Sequence, residues 1–200
     1  MQDTLEQGEI KKHSNQVEDS ETIRRCQYGD KRAFGLLVQK YMKQAYFTAL
    51  GFTGAHEAAL DLSQEAFVKA WRAIKRFETG RNFFTWYYRI LRNLCFNHLR
   101  DSAHKPRSFS EIGENAIAEI ADTHADPVQE SEANELKEMV WKGLNRLRVH
   151  EREIIILKDL QEMSYKEIAE ILQCPIGTVM SRLYTARKAL KSELEGIFVL

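Results

Sequence analysis

Residues 164–191 read SYKEIAEILQCPIGTVMSRLYTARKALK. Ser164 followed three residues later by Glu167 is a capping-box pattern, which opens a helix just before an apolar run. Met163 and Ile168 occupy the hydrophobic-staple positions around it. Tyr165, Ile168, Ala169 and Leu172 supply an inward face, with Ala169 small where two helices would cross closely. Gln173-Cys174-Pro175 is a turn, because Pro175 cannot continue the first helix but can start the second. In the second helix Ile176, Val179, Leu183, Ala186 and Leu190 form an apolar stripe at helical steps. Thr178, Ser181, Arg182, Thr185 and Lys188 lie on the opposite side. Short hydroxyls beside long cations suit major-groove readout and phosphate contact. They would also suit a solvated face, but the capped helix, tight turn and polar-faced second helix together favour a DNA-binding helix-turn-helix.

Upstream of this motif, Leu136, Met139, Val140, Leu144 and Leu147 form an apolar stripe, and Ile154–Leu157 with Leu160 form the next helix. These segments predict a second helical domain over residues 135–196. Residues 21–101 predict a first one. Asp30 can cap a helix carrying Phe34, Leu37, Val38, Tyr41, Met42, Ala45, Tyr46 and Ala49, with Gly51 and Gly54 read as its break. A further helix is expected from about Asp61, with Leu62, Phe67, Ala70, Trp71 and Ile74 inward, and another from about Phe84 to Arg100. Residues 102–134 hold two of the chain's three prolines and few apolar positions. They read as a linker with a short helix at 115–121. Residues 1–20 read as a disordered tail. The expected fold is all-α, two small helical domains joined by a flexible acidic linker.

The 200-residue chain has zero formal net charge, but the charge is unevenly placed. Residues 61–100 carry eight basic and three acidic residues, a balance of +5, whereas residues 101–135 carry two and nine, a balance of −7. A basic block beside an acidic one implies surfaces with different tasks, and weak DNA binding by the free chain. Within the basic block, FETGRNFFTWYYRILRNLCFNHLR interleaves Phe77, Phe83, Phe84, Trp86, Tyr87, Tyr88 and Phe96 with Arg76, Arg81, Arg89, Arg92 and Arg100. Aromatics among cations suit single-stranded nucleic acid, where bases stack and phosphates pair. Core packing is the competing reading, and at least as good for Phe84, Tyr88 and Trp86. Arg89, Asn93, Asn97 and Arg100 share one helical face. Asp61, Gln64, Glu65 and Arg72 share another, which on its own also fits a solvated surface.

The runs DLSQEAFVKAWRAIKRFETGRNFFTWYYRILRNLCFNHLRD and LNRLRVHEREIIILKDLQEMSYKEIAEILQCPIGTVMSRLYTARKALKSEL, in this order and separation, resemble regions two and four of extracytoplasmic-function sigma factors of the sigma-70 family. The resemblance covers most of residues 21–195. It implies a transcription initiation factor that binds core RNA polymerase, recognises two promoter elements and melts the downstream one. Residues 21–101 would be region two and residues 135–196 region four. Asp61, Gln64 and Glu65 match the segment that docks on the polymerase. Phe77, Arg81, Asn82, Phe83, Arg89, Asn93 and Asn97 fall in the segment for the minus-ten element. Thr178, Ser181, Arg182, Tyr184, Thr185 and Lys188 fall in the recognition helix for the minus-thirty-five element. Promoter DNA, core polymerase and an anti-sigma factor are the expected partners. Met180 and Thr185 depart from the Lys or Arg often found there, and Gln173 from a frequent Gly.

No enzyme, cofactor or metal is expected. The six histidines form no HExxH pair and the three cysteines, Cys26, Cys95 and Cys174, no CxxC, so neither a metal site nor a disulfide framework is indicated. A nuclease would need a carboxylate or histidine cluster. A polar N-terminus and the lack of a long apolar run predict a cytoplasmic protein without membrane insertion. The rival reading is a conventional dimeric helix-turn-helix regulator, which would bind palindromic sites without polymerase.

Overall fold

The computed structural model describes residues 19–102 and 127–198, and among them every regular element is helical. The N-terminal unit begins with α1 (residues 19–27). α2 (Lys31–Thr53), α3 (His56–Ala73), a 3-10 turn (Ile74–Arg76) and α4 (Phe83–Ser102) complete it. Asp30 caps α2 as expected, its carboxylate accepting from the Arg32 and Ala33 N–H groups at 2.9 and 3.1 Å. Those bonds and the Arg25 guanidinium hold its carboxyl below the usual carboxylate range. Phe34, Leu37, Tyr46, Phe67, Tyr87 and Leu91 are buried between the helices. Phe67 and Tyr87 lie with ring centroids 4.5 Å apart, and the Tyr87 hydroxyl donates to the Ser63 carbonyl. Buried Asp19 accepts from Lys40 and Tyr41, tying α1 to α2.

The C-terminal unit contains α5 (Pro127–Arg146) and α6 (Val149–Ile155), which runs into a single π turn (Ile156–Leu160). α7 (Tyr165–Leu172) and α8 (Ile176–Phe198) follow. Leu144, Leu147, Ile154, Ile168, Val179, Leu183 and Ala186 form its core.

The two units pack against each other. The Phe47 and Trp141 rings stack at 6.4 Å. The Arg152 guanidinium donates to the Phe52 carbonyl at 2.8 Å while also holding the Asn145 and Leu147 carbonyls. Gly51 does not end α2: the helix continues to Thr53 and closes on Gly54, whose φ of +65° is the left-handed cap that favours glycine. At Gly51 a Cβ would lie 2.6 Å from Ile156 Cδ1. This glycine therefore marks a close approach between the units.

Other boundaries differ too. α3 starts at His56, before Asp61, and α5 starts at Pro127, a residue suited to a first helical turn. Met42, Leu136, Leu160 and Ile176, read as inward, are exposed. The buried interfaces are narrower than the apolar stripes, and single exposed apolar side chains carry little cost. The expected short helix at 115–121 and almost all of the N-terminal tail lie outside the described residues.

Candidate nucleic-acid interface

The helix-turn-helix is built as its sequence dictates. The Glu167 N–H donates to Ser164 Oγ, and the Glu167 carboxylate accepts from the Ser164 N–H at 2.8 Å. Gln173 closes α7 in the left-handed region, φ +51°. The Pro175 carbonyl then accepts the first N–H groups of α8, from Thr178 and Val179. Val179, Leu183 and Ala186 are buried. Ser181, Arg182, Tyr184, Thr185 and Lys188 are exposed, and Thr178 is half-buried beside them. The hydroxyls of Ser181 and Thr185 donate to carbonyls one turn back, which leaves their lone pairs for a donor on a ligand. Ile176, Met180 and Tyr184 recur every four residues and are 46%, 53% and 73% exposed, an apolar stripe beside the polar face.

On α3, Asp61, Gln64 and Glu65 are all exposed, while Leu62, Ala66, Phe67 and Ala70 turn inward. Glu65 pairs with Lys69 at 3.0 Å in solvent. The three polar residues thus share a surface that the unit's own core does not use.

The minus-ten candidates divide. Phe77 and Phe83 are 4% and 1% exposed. They pack against each other and against Trp86, so they build the wall beneath the 78–82 loop and offer no face to a base. Asn82 caps α4, its Oδ1 accepting from the Thr85 N–H at 3.0 Å. Asn93 and Asn97 are exposed. With Lys69, Ala73, Ile90 and Leu94 they line an open groove of about 310 Å³ between α3 and α4.

The cations of this face meet the C-terminal unit. Arg89 donates to the Glu170 carbonyl at 3.1 Å and lies 3.6 Å from its carboxylate. Arg81 approaches the same carboxylate at 3.7 Å. Arg92 lies over the Phe96 ring, its guanidinium carbon 4.4 Å from the centroid. It grips Glu153 through two nitrogens, one at 3.1 Å. Glu153 is 1% exposed and also accepts from the Tyr88 hydroxyl at 3.2 Å. The Glu153 hydrogen bond raises the Arg92 pKa further above its usual value. Burial, reinforced by Glu153, pushes the Tyr88 hydroxyl well above its ordinary value, so it remains a neutral donor. Arg92 belongs to the basic-aromatic block of the sequence, but nothing in the sequence marks Glu153 as its partner. They are 61 positions apart, and no local pattern pairs residues at that distance.

Among the described residues no group of His, Cys, Asp or Glu could hold a metal ion. No described helix is long and apolar enough to cross a membrane.

Comparison with known proteins bears on both units. Residues 37–105 match the family model described as Sigma-70 region 2, and residues 137–190 match Sigma-70, region 4. The chain is 34% identical over 186 residues to the RNA polymerase sigma-H factor of Pseudomonas aeruginosa, covering 91% of this chain and 96% of that one. It is 34% identical over 193 residues to the ECF RNA polymerase sigma-E factor of Escherichia coli K12, covering 92% and 98%. It is similar in structure to the Bartonella quintana sigma factor RpoE, solved in complex with the anti-sigma factor NepR. The TM-score there is 0.63 at 28% identity, covering 81% of this chain and 96% of that one. The polar α3 face, the cationic α4 face and the capped helix-turn-helix lie on the two matched regions in their family order, and the chain belongs to the extracytoplasmic-function group of the sigma-70 family.

Proposed function

We propose that this protein binds core RNA polymerase through the Asp61–Gln64–Glu65 face of α3 and gives the enzyme promoter specificity. In this reading α8 reads the minus-thirty-five element with Thr178, Ser181, Arg182, Tyr184, Thr185 and Lys188. Arg81, Arg89, Asn93 and Asn97 contact the minus-ten element, while Asn82, Phe77 and Phe83 hold the loop in shape. The carrying observation is that one chain presents two separate surfaces suited to DNA, one duplex-reading and one lined with cations and amides beside an open groove. Melting needs a hydrogen-bonding pocket for an extruded base and cations for the freed backbone. The α3–α4 groove with Asn93 and Asn97 supplies the first and the arginines the second.

The protein acts in the cytoplasm, without cofactor and without catalysis of its own, and an anti-sigma factor is its natural antagonist. The domain assignment, region two over 21–101 and region four over 135–196, belongs to the same proposal, with the acidic linker between them ending in the first turns of α5, which begins at Pro127. A fluorescence titration against core polymerase tests the docking surface. Charge reversal by Glu65→Lys weakens binding while circular dichroism and melting stay unchanged. Equal affinity of wild type and variant would return this face to solvent.

A further inference from the structure

The arginines of the α4 face assigned above to the minus-ten strand already meet carboxylates, while Asn93 and Asn97 beside them stay exposed. Arg89 lies on Glu170 of α7 and Arg81 approaches the same carboxylate more loosely, its nearer partner being Glu78 of its own unit at 2.6 Å, while Arg92 is clamped on Glu153 of α6. Two carboxylates from one DNA-binding unit thus hold two guanidinium groups of the other, those of Arg89 and Arg92, and draw on a third, that of Arg81. Arginine forks bind carboxylate and phosphate with the same planar geometry. Around Glu153 the site is built, not incidental. The carboxylate is buried and accepts from both Arg92 and Tyr88, and Phe96 supports the guanidinium from below. A buried carboxylate is tolerated only where it is paired. Its place is therefore defined by the docked arrangement, and undocking releases both charges to water.

We propose that Glu153 and Glu170 are stand-ins for DNA phosphates. They latch region four onto the minus-ten face of region two in the free protein, and Arg92 joins Arg81 and Arg89 as a backbone-binding residue once the latch opens. This rests on the assignment of α4 to the minus-ten element. The closed chain cannot offer these arginines in full to DNA until the carboxylates leave. The exchange of carboxylate for phosphate returns to the arginines what undocking takes from them.

The test uses the full chain with Cys174→Ser, labelled at Tyr28→Cys and Lys191→Cys, both exposed positions on opposite units. Energy transfer reports docking, and binding of a short single-stranded DNA at low salt reports the freed face. Glu153→Gln is expected to raise the open-to-docked ratio about tenfold, since a buried pair loses one charge. Glu170→Gln, at an exposed site that leaves the fold intact, is expected to raise it about twofold. Both should tighten DNA binding in proportion. Adding Arg92→Gln to Glu153→Gln should keep the chain open yet weaken binding, with the salt slope falling by about 0.7.

Unchanged energy transfer in both glutamate variants would overturn the latch. Opening without tighter DNA binding would overturn the phosphate stand-in, as would an Arg92 change that leaves the salt slope untouched. Failure of the wild-type protein to direct initiation by core polymerase would instead strike the parent reading, because it does not depend on either glutamate.

Discussion

Replacing Gly51 by alanine adds one methyl group in α2, at the point where the two units come closest. Within the helix the change is favourable, since glycine in a helix interior costs about 1 kcal/mol relative to alanine. The new Cβ, however, would sit 2.6 Å from Ile156 Cδ1 and 2.9 Å from its Cγ1. Carbon atoms pack at about 3.5–4.0 Å, so Ile156 must retreat by about 1 Å. It is fully buried and has little room to do so. Overpacking of this kind costs about 1–3 kcal/mol, and the cost falls only on the docked state. The helical gain is common to docked and open states and cancels between them. The open-to-docked ratio is therefore expected to rise about 5- to 150-fold. Hydrogen exchange read by mass spectrometry separates the two effects. Amides of α2 should gain protection while those of α6 and the π turn lose it. If α6 keeps its protection while α2 gains, Gly51 is not a docking position and the reasoning from the Cβ contact is wrong.

Gln173→Gly should stabilise the helix-turn-helix by about 1 kcal/mol, because an exposed side chain is being held at φ +51°; denaturant unfolding that shows a loss would contradict this. Cys174, half-buried, should react with a maleimide reagent at neutral pH. Buried Cys26 and Cys95, their thiols pushed up to about 11 and about 12 by desolvation, should stay protonated and unlabelled until the chain unfolds; mass spectrometry of the labelled protein decides. Asn93→Ala should leave stability within a few tenths of a kcal/mol, as for an ordinary surface change, yet lower open-complex formation. That defect should shrink on a template pre-melted at the minus-ten element, and an equal loss on both templates would place Asn93 in binding or folding instead.

Local patterns carried most of the fold. The capping box at Ser164 and Glu167, the Asp30 cap and the buried stripe of α8 are encoded in neighbouring residues, so reading along the chain finds them. Gly51 shows where that stops. Along the sequence it is a helix breaker, and only the opposing Ile156 makes it a contact. The same limit hid the Arg92–Glu153 pair. The aromatic block shows a different ambiguity. Phe77 and Phe83 fit base stacking and core packing equally well by composition, and it is the rings of Tyr41, Trp86 and Tyr87 around them that decide for the core. The exposed candidates, Asp61, Gln64, Glu65, Asn93, Asn97 and the polar residues of α8, were legible because the apolar residues between them had to face inward.

The central claim, that this chain confers promoter specificity on RNA polymerase, is tested most directly by run-off transcription. Core polymerase is incubated with the purified protein on a library of genomic fragments containing its own promoter, and transcript starts are mapped. The account predicts discrete start sites that are absent with core polymerase alone and lost with Glu65→Lys. Starts no more specific with the protein than without it would contradict it.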